Sequence, residues 1–210
     1  MSSVVDICNL ALSHLGDTAS VTSIDPPEGS AQAEHCARFY PIARDSLLEM
    51  HDWKFASKRA LLAELTSETD AWDYAYAMPS DALRIISVTA SDADDDNASS
   101  NLIGTYSAQP YAIEVISTGA MVIYTDQEDA AVRYTAYVTD SGKFSPLFTM
   151  TLSAILASLL AGPIIKGDSG AAEAKRCAAL AQAYLAKAAA SDAQQRGPRA
   201  KHSVSWIANR

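Results

Sequence analysis

Two short strings in this sequence have the residue types of a hydrolytic site. "GDSG" at Gly167 to Gly170 matches the nucleophile motif of chymotrypsin-like serine proteases, and "AEHC" at Ala33 to Cys36 loosely matches their histidine motif. A serine becomes a nucleophile only when a histidine held by a carboxylate takes its proton. The pattern argues against that use here. Both strings lie in or beside helical periodicity, whereas that protease fold is built of β-barrels. Asp168 and Ser169 stand just ahead of an Ala-rich run, at positions expected to cap a helix N-terminus. Ala171 also stands where the family has another glycine.

Metal and phosphate chemistry are no better supported. His14, His35, His51 and His202 have no ligand spacing with one another or with Cys8, Cys36 and Cys177. His35 and Cys36 read as helix packing. "DADDD" (Asp92 to Asp96) lacks the glycine and terminal Glu of a twelve-residue calcium loop, and reads as a solvated acidic loop. No phosphate-loop or dinucleotide glycine pattern is present. The expectation is a chain that is not an enzyme and holds no metal or cofactor.

The elements that would position any site follow from periodicity. Val4, Ile7, Cys8, Ala11, Leu12 and Leu15 have helical spacing, with Gly16 as the stop. A second helix is expected from about Pro27 to Met50. Its apolar positions are Ala33, Cys36, Ala37, Tyr40, Ile42, Leu47 and Leu48, and Pro41 should kink or divide it. From Trp72 the period changes to two: "WDYAYAMP", "LRIISVTA", "YAIEVI", "MVIYT" and "AVRYTAYV" read as extended segments and strands. The helical period returns with Leu152, Ile155, Leu156, Leu159 and Leu160, ending near Gly162 and Pro163. An Ala-rich helix follows, then an aperiodic tail.

The fold class expected is therefore α+β. Residues 1–65 and 145–190 would form a discontinuous helical bundle, 66–144 an inserted antiparallel β-rich lobe, and 191–210 an extended C-terminal arm.

Charge follows the same division. Of the net -9 over 210 residues, the stretch from Thr66 to Asp140 carries thirteen acidic residues against two basic ones, Arg84 and Arg133. The last twenty residues hold four basic groups and one acid. Such asymmetry means that different segments face different neighbours. The three widely spaced cysteines read as reduced core residues of a protein made in a cytoplasm. With no run of eighteen apolar residues and no basic leader before Asp6, neither a membrane span nor a signal peptide is expected.

The stretch "HDWKFASKRALLAEL" (51–65) sets Trp53 and Phe55 among Lys54, Lys58 and Arg59. Three basic groups beside an aromatic are a weak nucleic-acid signal, and helix-surface charge beside a buried Trp accounts for them.

The succession "ICNLALSHLGD", "SAQAEHCARFYPIARDSLLEMHDWKFASKRALLAEL" and "WDYAYAMPSDALRII" resembles the head-to-tail connector (adaptor) proteins of tailed bacteriophages, of the tail tubular protein A type. The shared features are a short helix ending in Leu-Gly and a helix carrying Tyr40, Ala43, Arg44, Asp45, Leu47 and Leu48. A corner with Trp53, Phe55 and Ala56 follows, then a segment with Tyr74, Ala75, Tyr76, Pro79 and Asp81. The likeness covers residues 4 to 88 well and the later "Y-x-A-Y" strand and two terminal helices loosely; the acidic loop and the sparse charge of the final helix depart from it.

The resemblance implies a structural virion protein at the head-tail interface. Its partners would be further copies in a ring, typically twelve-fold, the portal protein, and a tail nozzle or tube, with DNA passing through the channel. Trp53, Phe55, Tyr74 and Tyr76 would then be structural corner residues, and the helix from Ala171 to Ala190 a face for a neighbouring copy. It also suggests a C-terminal arm that docks on the portal, through Arg196, Arg199, Lys201, Trp206 and Ile207. A DNA-packaging accessory that binds DNA is the second reading, with steep salt dependence as its mark. A serine hydrolase is the third, and it requires Ser169 to react with an active-site serine probe.

Overall fold

The computed structural model describes residues 2–91, 93 and 108–195, and shows a mixed α+β fold. The acidic residues Asp92 and Asp94 to Asp96 and the arm residues Arg196, Arg199, Lys201, Trp206 and Ile207 lie outside the described residues.

Helix α1 spans Val4–His14 and begins in a capping box, in which the Ser3 side chain accepts from the Asp6 N–H and Asp6 accepts from the Ser3 N–H. The loop after it is pinned by Asn9, whose side chain exchanges hydrogen bonds of 2.9 and 2.8 Å with the Val21 backbone. Helix α2, Ala31–Met50, starts at the Ser30 cap and runs through Pro41 as one continuous helix, so the division expected there does not occur. Ile42, expected among its buried positions, is exposed. The inward positions Tyr40, Ala43 and Leu47 recur at three to four residues, and Ile42 falls between them.

Helix α3, Pro146–Ile165, has Pro at its first position and a Ser145 cap, and its interior leaves Pro163 within the last turn, beyond the stop expected from sequence. It carries no charged residue and is long and apolar enough, on those two measures alone, to cross a membrane, although more than half of it is buried inside the fold. Its hydroxyls hid the run: Thr151, Ser153 and Ser158 interrupt the apolar string yet donate to the helix's own carbonyls. In the structure α3 is the central helix, packed against α1, α2 and α4 (Gly167–Ala193).

A single residue, Lys166, joins α3 to α4, with φ 61° at both Lys166 and Gly167. Helix α4 therefore starts before Asp168 and Ser169, which occupy its first turn and do not cap it; Lys166 is the cap residue and offers no side-chain bond. So tight a hairpin demands close approach. A Cβ on Gly170 would stand 3.0 Å from the Ala161 carbonyl oxygen, so a larger residue here requires the two helix backbones to give by a few tenths of an ångström.

Among the described residues, seven strands lie between α2 and α3: β1 (Ser57–Leu61), β2 (Glu64–Leu65), β3 (Tyr74–Ala77), β4 (Ala82–Ala90), β5 (Tyr111–Val115), β6 (Met121–Thr125) and β7 (Ala130–Ala136). They form two antiparallel sheets, ordered β1-β7-β4 and β2-β3-β6-β5. Gln109 N–H, just ahead of β5, donates to Val88 of β4, while between β1 and β2 Leu62 N–H donates to Ala130 beside β7 and the Ala63 carbonyl accepts from Ala77 of β3, so the two sheets meet around a shared interior. Tyr76, Ile85, Val88, Ile123, Val132 and Tyr134 fill that interior. Strands β1 and β2 fall in the range 1–65 that the sequence reading assigned to helices. "ALLAEL" carries apolar residues at helical spacing, but β1 pairs instead with β7, with Ser57 opposite Thr135 and Leu61 opposite Ala131.

The helical core is separate, with Ile7, Leu12, Leu47, Leu48, Trp53, Phe148, Leu152, Leu156 and Leu160 fully buried in one cluster. Fully burying each such side chain stabilises the fold by about 1.5–3 kcal/mol, so this cluster outweighs any surface ion pair. Where the two ends of the chain meet, His14 Nε2 lies 3.3 Å from Ser153 Oγ, and Arg176 donates to the His14 carbonyl at 2.6 Å. Burial, and then the Arg176 charge, hold the His14 imidazole below its ordinary 6.5. A histidine whose folded value is depressed contributes stability above its unfolded value, and that contribution is lost as pH falls through the folded value. Thermal melts from pH 8 to pH 4 should therefore show a larger acid-side loss in the native chain than in His14→Gln.

Candidate interaction site: the aromatic corner and the root of the arm

The segment His51 to Ala56 is where α2, the strands and both late helices converge. Helix α2 ends as His51 becomes extended, and Trp53 folds back so that its indole Nε1–H donates to the Leu47 carbonyl at 2.8 Å. That bond satisfies one of the open carbonyls that a helix C-terminus leaves. Trp53 is fully buried, with its ring edge-on to Phe148 of α3 at 5.0 Å. Phe55 meets the same Phe148 at 5.0 Å, and Phe144 closes the group at 4.7 Å from Phe148. Three of the four phenylalanines thus join one tryptophan in a cluster, Phe55 and Phe148 against its ring and Phe144 against both of them, a geometry that adds to simple burial.

The corner then passes directly into the lobe. Ala136 N–H of β7 donates to the Ala56 carbonyl at 2.8 Å, and Arg84 of β4 pairs with Asp52. Lys58 Nζ lies 2.6 Å from Asp81 Oδ2, and the Tyr134 hydroxyl donates to Asp81 Oδ1 at 2.8 Å. The Lys58 ammonium, and then the Tyr134 hydroxyl, hold the Asp81 carboxyl below its ordinary value. Burial, and then that same hydrogen bond, push the Tyr134 hydroxyl up to about 12.

Sequence reasoning missed one residue that completes the corner. Asp192, in the last turn of α4, is buried at 5% exposure, and its two oxygens accept the Lys54 backbone N–H at 3.1 and 3.2 Å. His51 Nε2 also approaches its Oδ2 at 3.4 Å, without a well-aligned hydrogen bond. A carboxylate near a helix C-terminus opposes the macrodipole. Its position is held by the amide it accepts and by the nearby imidazole. A signal existed in the spacing. Gly170, Cys177, Ala181, Ala188 and Asp192 form the buried stripe of α4, so the acid is in phase with the inward-facing residues.

No protein-family model matches the chain, and no curated protein matches it in sequence.

The remaining singled-out residues are distributed elsewhere. Tyr74 and Tyr76 stack on each other at 6.3 Å, and Tyr76 donates to the Gln127 carbonyl; they belong to the lobe interior, not to the Trp53 cluster. In the helix motif, Tyr40, Ala43, Leu47 and Leu48 are buried, while Arg44 pairs with its neighbour Asp45 and lies over the Tyr40 ring at 6.0 Å. Ser169 is exposed on α4, and His35 stacks along α2 against Phe39, so no nucleophile and base are assembled from them. All three cysteines are free and buried. Among the described residues, no three His, Cys, Asp or Glu side chains gather as a metal site.

Proposed function

We propose that this chain is a structural head-to-tail adaptor of a tailed bacteriophage, one subunit of a ring between portal and tail. In this reading α1 to α4 form a bundle made from both ends of the chain, the strands form an inserted lobe, and residues 191–210 form an extended arm. The observation that carries the reading is the Asp192 clasp. It ties the end of α4 to Lys54 of the corner, so the basic arm departs from the junction of helices and lobe. An arm rooted on a rigid junction delivers its contacts at a defined place, which an adaptor requires of a docking segment. The partly similar order of motifs from residue 4 to 88 supports the same assignment.

The arm has the composition of a segment that orders on a partner. Arg196, Arg199 and Lys201 supply charge for an acidic portal surface, and Trp206 with Ile207 supplies apolar anchors. The lobe, with most of the acidic residues, would repel phosphate where it faces the channel, and so let the genome pass without sticking.

The test mixes the purified chain with its portal protein. Negative-stain images should show stacked rings. Deleting residues 197–210 should abolish portal binding, with helical circular dichroism unchanged. Undiminished binding by the truncated chain refutes the role of the arm. Steeply salt-sensitive affinity for DNA, without portal binding, favours the packaging-accessory reading instead.

A further inference from the structure

Helix α2 has two apolar lines. One is its inward face, with Ala33, Cys36, Tyr40, Ala43 and Leu47 buried. The other runs along the flank beside it, where His35, Phe39, Ile42, Ser46 and Met50 recur at three to four residues. His35 stacks on Phe39, and Phe39 packs partly against the core. Ile42 and Met50 are left open, at 56% and 55% exposure. Among the described residues the helices expose one other large apolar side chain, Leu159 of α3. Isolated exposed apolar residues are ordinary. Two that prolong a line begun by a half-buried phenylalanine make a strip on which another apolar segment can lie.

One end of this strip lies beside the root of the C-terminal arm. Met50 is followed by His51, whose Nε2 is 3.4 Å from Asp192 Oδ2. The described chain ends shortly after, at Gln195. From Gln195 to Trp206 an extended chain spans up to about 36 Å, whereas Met50 and Ile42 stand about 12 Å apart along the helix. Trp206 and Ile207 therefore reach the strip with length to spare. Charge favours the same place. The last turn of α2 holds Glu49 and no basic residue, and the last turn of α4 holds Asp192 and no basic residue. Two negative helix ends thus meet where cations are favoured, and the arm opens with Arg196, Arg199 and Lys201.

We propose that, in the free subunit, residues 197–210 dock on this strip of their own chain, with Trp206 and Ile207 over Ile42 and Met50. The chain's own arm is the occupant because it is tethered at the end of the strip. A short tether holds a segment at an effective concentration in the millimolar range, which a second copy in dilute solution does not reach. The contact is a latch: it covers the arm's apolar anchors until a portal surface competes for them. The latch belongs to the free chain, and only its effect on portal binding rests on the adaptor reading.

The experiment uses the full-length chain with Ser46→Cys and Ala208→Cys, which leaves Ile42, Met50, Trp206 and Ile207 in place. A short bis-maleimide is the probe, and the native cysteines are buried, so it is left to the new thiols. In dilute solution, peptide mapping should find a link from 46 to 208 within one chain. Its yield should be at least about fivefold that of a control carrying Ala208→Cys with Ala186→Cys, an exposed position on α4. Adding Ile42→Gln and Met50→Gln should bring the yield down to the control, with an unchanged melting temperature. Equal yields at 46 and 186, or a yield indifferent to the double substitution, overturn the latch. A link found only between chains also overturns it and gives the strip to a second copy. In the adaptor reading, the chain with Ile42→Gln and Met50→Gln should bind portal about threefold more tightly or better, because the competing site is lost. Unchanged portal affinity overturns the competition. No portal binding by either chain refutes the adaptor reading, and the intrachain link still decides the latch.

Discussion

Trp53→Ala should be the most damaging single substitution outside the strands. The indole is fully buried, touches Phe148 and Phe55, and closes the α2 C-terminus through Leu47. Truncating a buried Trp costs about 3–5 kcal/mol, from lost transfer energy and the cavity left behind. In a chain of this size that lowers the melting temperature on the order of 10 °C. Trp53→Phe keeps most of the ring volume and loses the Nε1 bond, so its melt should fall between the two. A Trp53→Ala chain that melts with the native protein in calorimetry would show that the aromatic group is not the brace described.

Asp192→Ala should come next, with an effect that is local before it is global. Removing the carboxylate takes away a charged acceptor from the part-buried Lys54 N–H, a bond of a kind that contributes roughly 1.5–3 kcal/mol. Hydrogen exchange at the Lys54 amide should accelerate strongly, while amides in the middle of α3 keep their protection. Asp192→Asn retains one acceptor oxygen and relieves the clash with the helix dipole. It should recover much of the protection. Equal exchange at Lys54 in the native chain and in Asp192→Ala would remove the clasp from the account.

The comparison of sequence and structure turns on how far each signal reaches along the chain. Helices α1 and α2 were legible because Ile7, Ala11 and Leu12, and then Cys36, Tyr40, Ala43 and Leu47, repeat on one face over several turns. Strands β5 to β7 were legible because turn residues separate short apolar runs, and β5 pairs with β6, the next strand in the chain. Strands β1 and β2 were not. Their leucines are spaced as in a helix, and only the distant β7 and β3 make them strands. The grouping of Trp53 with Phe55 could be read locally. Their enclosure by Phe144 and Phe148 could not, since those residues arrive from the far side of the lobe. Asp192 was hidden for the same reason, because its partner amide lies 138 residues earlier. The arm residues lie outside the described residues, so their assignment rests on sequence and resemblance.

The one-residue link at Lys166 has a geometric corollary for the opposite end of α4. With no slack at the start of that 27-residue rod, the azimuth of its last turn is set by residue count. Inserting one residue before Asp192 would swing its carboxylate about 100° around the axis, and seven would return it nearly to its bearing two turns further on. Helix length in this hairpin thus acts as a dial that aims whatever follows residue 195.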